Sequence, residues 1–196
     1  MLRRFGFTLA ACAFAVVPAA LAQTPSMQTP PILYQPDPDS PIGVMHESAP
    51  PETAQLDFLI GDWAVDIVFH KPAGDLAYSA RWHTHWIVDG HAIMQEWRGP
   101  YATGAEIRSY NDKAGRWEGR NFYAGRQTWT ESTGTFEDGD FVVTTAEAGP
   151  NGAFINKERY YDIGPDSFRM MAVRSYDDGE TWSEAPVYEM TCTRIG

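Results

Sequence analysis

The chain has 196 residues, a formal net charge of −11, and a composition of 43% hydrophobic and 13% aromatic residues. So acidic a surface repels phosphate backbones and anionic lipids, which argues against a nucleic-acid partner. The apolar fraction is ample for a packed core, and with only Cys12 and Cys192 available the chain is not a disulfide-stapled scaffold.

In chain order, "MLRR" gives a positive start, "FGFTLAACAFAVVPAALA" an apolar run, and Ala20-Leu21-Ala22 a small-residue cleavage site before Gln23. This pattern predicts a secretory signal peptide over residues 1–22 and a periplasmic or secreted product. "LAAC", Leu9 to Cys12, has the form of a lipobox, but the apolar run continues well past Cys12. Cleavage after Ala22 is therefore the expectation, with lipidation of Cys12 the open alternative. Removal of that segment leaves about 174 residues with a charge of about −13, the size of one domain. Only Cys192 would remain, so no intrachain disulfide is expected. No further apolar run is long enough to span a bilayer. Oligomeric state is not legible.

Residues 23–53 hold most of the prolines, as in "QTPPILYQPDPDSP", and read as an extended, poorly ordered leader. From Ala54 the pattern changes. "TAQLDFLIGDW" is a short helical turn leading into Gly61-Asp62-Trp63, and "WAVDIVFH" then alternates Trp63, Val65, Ile67 and Phe69 on one face, as a strand does. "LAYSARWHTHWIV" and "HAIMQEWR" flank Asp89-Gly90, a dipeptide suited to a two-residue hairpin. Seven more strand-like segments follow: "AEIRSYN", "WEGRNFY", "TWTESTGTF", "DFVVTTAE", "AFINKERYYDI", "SFRMMAVRSY" and "APVYEMTCTR". Gly, Asp, Asn or Pro marks the turns between them. The prediction is an all-β domain over residues 54–196, an up-and-down antiparallel barrel of about ten strands, because closure removes the exposed edges. A β-sandwich is the alternative.

Several of these segments resemble a known family. "LDFLIGDW" is similar to the Gly-x-Trp opening of lipocalin-type barrels. Together with the "WHTHWIVDGHAIMQEW" hairpin, "EIRSYNDKAGRW", "DSFRMMAVRSYDDGETW" and "YEMTCTR", it resembles the bacterial DUF1579 and DUF1579-like proteins of the calycin superfamily, over roughly residues 56–194. The resemblance implies a lipocalin-like barrel in which Arg194 of the last strand packs over Trp63 and closes one end. It implies no agreed activity.

The histidines of the hairpin raise the question of a metal or haem. With Asp89-Gly90 at the turn, Trp86 pairs with Ile93, Thr84 with Gln95, and Trp82 with Trp97, all on one face. That apolar face should point inward, leaving His83 and His85 outside with Glu96 close by, a weak candidate metal set. Surface or rim histidines are the favoured reading, and no cofactor is expected. "SYDDGETW", Ser175 to Trp182, matches the Asp-box turn; a single copy argues for a structural turn over a glycan site.

Candidates for the inner wall are Trp82, Trp86, Trp97, Trp117, Trp129, Phe154 and Tyr160. Gln95, Arg108, Arg120, Asn121, Glu131 and Arg159 are polar residues of the same strands. Of these, Trp82, Trp86, Gln95, Trp97, Arg120, Trp129 and Tyr160 form the candidate ligand site, since small-ligand pockets combine aromatic walls with a few polar groups. Inward arginines would suit an anionic head group. Non-covalent binding of a small apolar or aromatic molecule is the leading expectation. The rivals are an isomerase, cyclase or hydrolase using the barrel as a chamber, a metal or haem barrel, and a solid structural barrel. No nucleophile elbow, zinc-protease motif, phosphate loop or CxxC is present.

Overall fold

The computed structural model describes residues 42–149 and 152–195. The predicted signal peptide, and the leader up to residue 41, lie outside the described residues. No helix among the described residues is long and apolar enough to cross a membrane.

A 3-10 helical turn, Pro51–Leu59, precedes ten strands: β1 (Gly61–Phe69), β2 (Leu76–Ile87), β3 (Ala92–Arg98), β4 (Thr103–Asn111), β5 (Arg116–Tyr123), β6 (Trp129–Glu137), β7 (Asp140–Gly149), β8 (Gly152–Tyr161), β9 (Ser167–Ser175) and β10 (Tyr188–Arg194). Each pairs antiparallel with its neighbours in sequence, and β1 also pairs with β10, so the sheet closes into a barrel. Alternation sets which side chains enter. On β1, Trp63, Val65 and Ile67 are buried while Asp62, Ala64 and Asp66 are exposed. The β2–β3 register places Trp86 opposite Ile93, Thr84 opposite Gln95, and Trp82 opposite Trp97. A 3-10 turn, Val88–Gly90, with positive φ at all three residues, reverses the chain there.

One end of the barrel is packed solid. The helical turn buries Leu56 and Leu59 completely, which stabilises by about 2 kcal/mol each. Its Phe58 meets the edges of Phe168 and Tyr160 (centroids 5.4 and 6.3 Å), and Phe168 in turn abuts Trp63 at 4.8 Å. Arg194 lies 4.2 Å above the Trp63 ring and donates to the carbonyls of Ile60 and Pro165, both at 2.7 Å. Gly61 has φ +116°, and a Cβ there would stand 2.6 Å from Arg194 Nη1. The Gly-x-Trp opening thus needs its glycine for the arginine to seat.

Residues 42–50, expected as part of the leader, belong to the folded domain. They pack on the barrel: Trp86 N donates to Ile42 O (2.8 Å), His46 N to Gly90 O (3.2 Å), and Ala49 is buried. A Cβ on Gly90 would collide with the Val44 carbonyl, so this close approach of two backbones depends on glycine. The Asp-box segment, between β9 and β10, is a self-contained turn. Asp177 accepts from Thr181 N (2.9 Å), Thr181 Oγ1 (2.6 Å) and Ser175 Oγ (2.7 Å), and these bonds hold its pKa down at about 2.

Candidate functional site

The other half of the barrel is hollow. A cavity of about 310 Å³ opens at the end where the β3–β4 and β5–β6 connections lie, with Tyr101, Ala102, Gly125 and Arg126 at its mouth. One arc of its wall is apolar, built by Ile67, Trp82, Trp97, Met170 and Met190; Trp82 and Trp97 meet edge to face at 5.4 Å. The arc from β4 to β8 is polar, with Glu106, Asn121, Asn156 and Glu158, and with Tyr123 and Tyr160; Gln95 and Tyr188 join it from β3 and β10. Concave, aromatic and sparingly polar walls are the usual form of a small-molecule site.

A buried ionic network sits beneath this polar arc. Arg108 is fully enclosed and donates to Glu106 Oε2 (2.6 Å), Gln95 Oε1 (2.7 Å) and the Tyr160 hydroxyl (3.2 Å); Ser132 Oγ donates to Glu106 Oε1 at 3.0 Å. Burial works against the guanidinium charge, but Glu106, Tyr160 and Glu158 outweigh it, so Arg108 stays charged. Room for it comes from Gly119, where a Cβ would collide with Ser132 Oγ. Gln95 Nε2 and Arg108 Nε are buried without a hydrogen-bond partner among the described residues.

Glu158 is another carboxyl of the cavity wall, half-buried there. It accepts from the Tyr188 hydroxyl and from Asn156 Nδ2 (3.3 Å), and Asn156 Nδ2 also reaches the Tyr188 oxygen at 3.2 Å. Burial, reinforced by the charge of Glu106, pushes its pKa up to about 7. Burial likewise pushes the phenols of Tyr123, Tyr160 and Tyr188 up, so they remain neutral donors.

Of the residues expected to form the site, the structure brings Trp82, Gln95, Trp97 and Tyr160 to the cavity. Trp86 is buried toward the solid end, its Cβ and backbone against Gly43. Arg120 and Trp129 are corrections. On β5 the inward residues are Trp117, Gly119 and Asn121, so Arg120 points outward and pairs with Glu131 on the exposed surface. On β6 Ser132 and Gly134 point inward, which puts Trp129 and Glu131 outside; Trp129 packs against Phe122 at 5.3 Å. Arg159 is likewise external, bonded to Asp140. Trp117 fills the solid half, with its indole nitrogen donating to Gln55 Oε1 at 3.2 Å.

The histidines stay out of the cavity. His83 donates to Asp62 Oδ1 (2.9 Å), Glu96 accepts from Arg98 (3.2 Å), and half-buried His85 lies 5.0 Å from the His83 ring, its pKa lowered by burial and by His83. His91 stacks on His46 at 4.9 Å and bonds to Ser48 at the closed end. Among the described residues no group of three or more His, Cys, Asp or Glu is placed to hold a metal ion. Cys192 is buried, and burial followed by the nearby Asp66 pushes its thiol pKa up, away from reactivity.

Glu106, Glu158, Asn156 and Tyr188 are the functional residues that the sequence reading missed. The signal for two of them was present: Phe154, Asn156, Glu158 and Tyr160 share one strand parity, and the first and last of these are expected inward from sequence. Comparison of the chain with protein-family models and with curated proteins returns no match.

Proposed function

We propose that this protein is an exported, calycin-like barrel that binds a small, largely aromatic or apolar molecule non-covalently in its open half. The observation that carries the reading is a cavity of about 310 Å³ whose lining combines the indole rings of Trp82 and Trp97 with a few polar side chains, Asn121, Asn156 and Glu158 among them. Closing a ligand against Trp82 and Trp97 adds roughly 25 cal/mol for each Å² of apolar surface covered.

The test is direct. Small molecules released from the natively purified protein are identified by mass spectrometry, and their rebinding is followed by tryptophan fluorescence. Trp97→Ala should weaken rebinding at least about tenfold. Unchanged affinity in that variant would remove the cavity from consideration.

One observation favours a second reading, a chamber for acid–base chemistry. Glu158 is a carboxyl that titrates at about 7 inside the cavity, as general acids and bases do. Chemical conversion of the co-purifying molecule by the wild-type protein, abolished in Glu158→Gln with binding retained, would establish it.

A further inference from the structure

Three carboxylates line the cavity: Glu106, Glu147 and Glu158. Two of them have an arginine in contact, Arg108 on Glu106 at 2.6 Å and Arg126 on Glu147 at 2.5 Å. Glu158 has none among the described residues; its partners are the neutral Tyr188 hydroxyl and Asn156 amide. Arg108 is held elsewhere by Glu106, Gln95 and Tyr160. Arg174 of β9 pairs across from Asn156, where its Nε donates to Asn156 Oδ1 (3.3 Å) and its guanidinium lies 4.4 Å over the Phe154 ring. The cavity therefore carries one carboxyl with no counter-cation among the described residues.

We propose that the cavity selects a ligand bearing a protonated amine, whose ammonium group pairs with Glu158 while its aromatic body lies against Trp82 and Trp97. This rests on the binding reading above and names its ligand class. Two features support it. A buried carboxylate is stable only when paired, and the two neighbouring carboxylates show how the fold pairs them when it supplies the cation itself. Tyr160, Tyr188 and Trp97 line the cavity, and an aromatic ring attracts a cation that reaches a free face. Glu106 with Arg108 and Glu147 with Arg126 already cancel, which leaves Arg174, over the Phe154 ring and bonded to Asn156, as the cation an entering ammonium must pass.

The groups that face Glu158 also fix the pH response. Glu106 and Arg108 come from β4, Tyr123 from β5, Arg126 from the β5–β6 connection, Glu147 from β7, Tyr160 from its own strand, Arg174 from β9 and Tyr188 from β10. The phenols stay neutral and Arg108 stays charged across the working range, so Glu158 is the group that changes state near neutrality. An ammonium ligand requires its carboxylate form, and binding should strengthen as pH rises through about 7.

Calorimetric titration of the full chain with tryptamine, tryptophol and indole-3-propionate, which differ in the head group, tests this. At pH 8 tryptamine should bind about tenfold or more tighter than tryptophol. At pH 5.5 the two should converge to within about threefold, and Glu158→Gln should abolish the preference at pH 8. Indole-3-propionate binding as tightly as tryptamine, or an amine preference that survives Glu158→Gln, overturns the proposal and leaves the binding reading standing. Failure of all three probes to bind overturns both.

Discussion

Replacing Glu158 by Gln should change how stability depends on pH more than it changes the fold. The folded-state pKa of Glu158 is about 7 against an ordinary 4.5. Below 4.5 both folded and unfolded chains hold the proton. Between 4.5 and 7 the folded chain keeps a proton that the unfolded chain has released, so stability falls as pH rises. Above 7 both are ionised and the loss is complete. The full shift corresponds to roughly 3 kcal/mol, of which about 2–3 kcal/mol falls between pH 5 and pH 8. A glutamine at this position cannot ionise, but its amide oxygen still accepts from Tyr188. The variant should therefore gain about 2–3 kcal/mol on the parent between those two pH values, whatever the offset at pH 5. Urea unfolding of both proteins at pH 5 and pH 8 reads the gap, and the melting temperatures should diverge by several degrees, at about 2–4 °C per kcal/mol. Other titrating groups are common to both chains and drop out of the comparison. A stability gap of the same size at the two pH values would refute the claim that Glu158 sits half-buried in the cavity without a cation in contact.

Arg108→Met should destabilise the barrel by about 3–5 kcal/mol, because Glu106 is then left in the interior unpaired and next to Glu158. Adding Glu106→Gln should recover at least half of that loss in urea unfolding; no recovery would mean that the arginine acts through its volume alone. Arg194→Ala should cost about 2–3 kcal/mol, since the carbonyls of Ile60 and Pro165 lose their donors and Trp63 is uncovered. Ligand affinity, measured by the same fluorescence titration on folded protein, should not move, because this contact lies at the end away from the cavity.

The barrel was legible because its strands are half-buried and their alternation is clean, as Trp63, Val65 and Ile67 on β1 illustrate. The β2–β3 register was legible too: a turn at Asp89-Gly90 fixes Trp82 opposite Trp97 whatever the rest of the chain does. Arg120 and Trp129 were misplaced for a specific reason. Their strands carry aromatic and polar residues on both faces, so local composition does not give the parity; barrel closure does, through neighbours such as Asn121 and Ser132. The packing of residues 42–50 was hidden for another reason. Proline-rich sequence says only that the segment is neither helix nor sheet, and its attachment depends on the missing side chain of Gly90, about forty positions away. The ion-pair arithmetic of the cavity depends on which of three arginines reaches which of three glutamates. No pattern within one strand contains that information.

The division of the cylinder into a filled end and an empty end separates two kinds of selection. Rings such as Trp63, Phe168 and Phe58 hold the molecule together at one pole, so residues about the opposite opening are free to change without unfolding it. A lineage built on this plan would keep its scaffold while its taste for guests drifted, with variation gathering at Tyr101, Arg126 and Arg174 rather than at the plug.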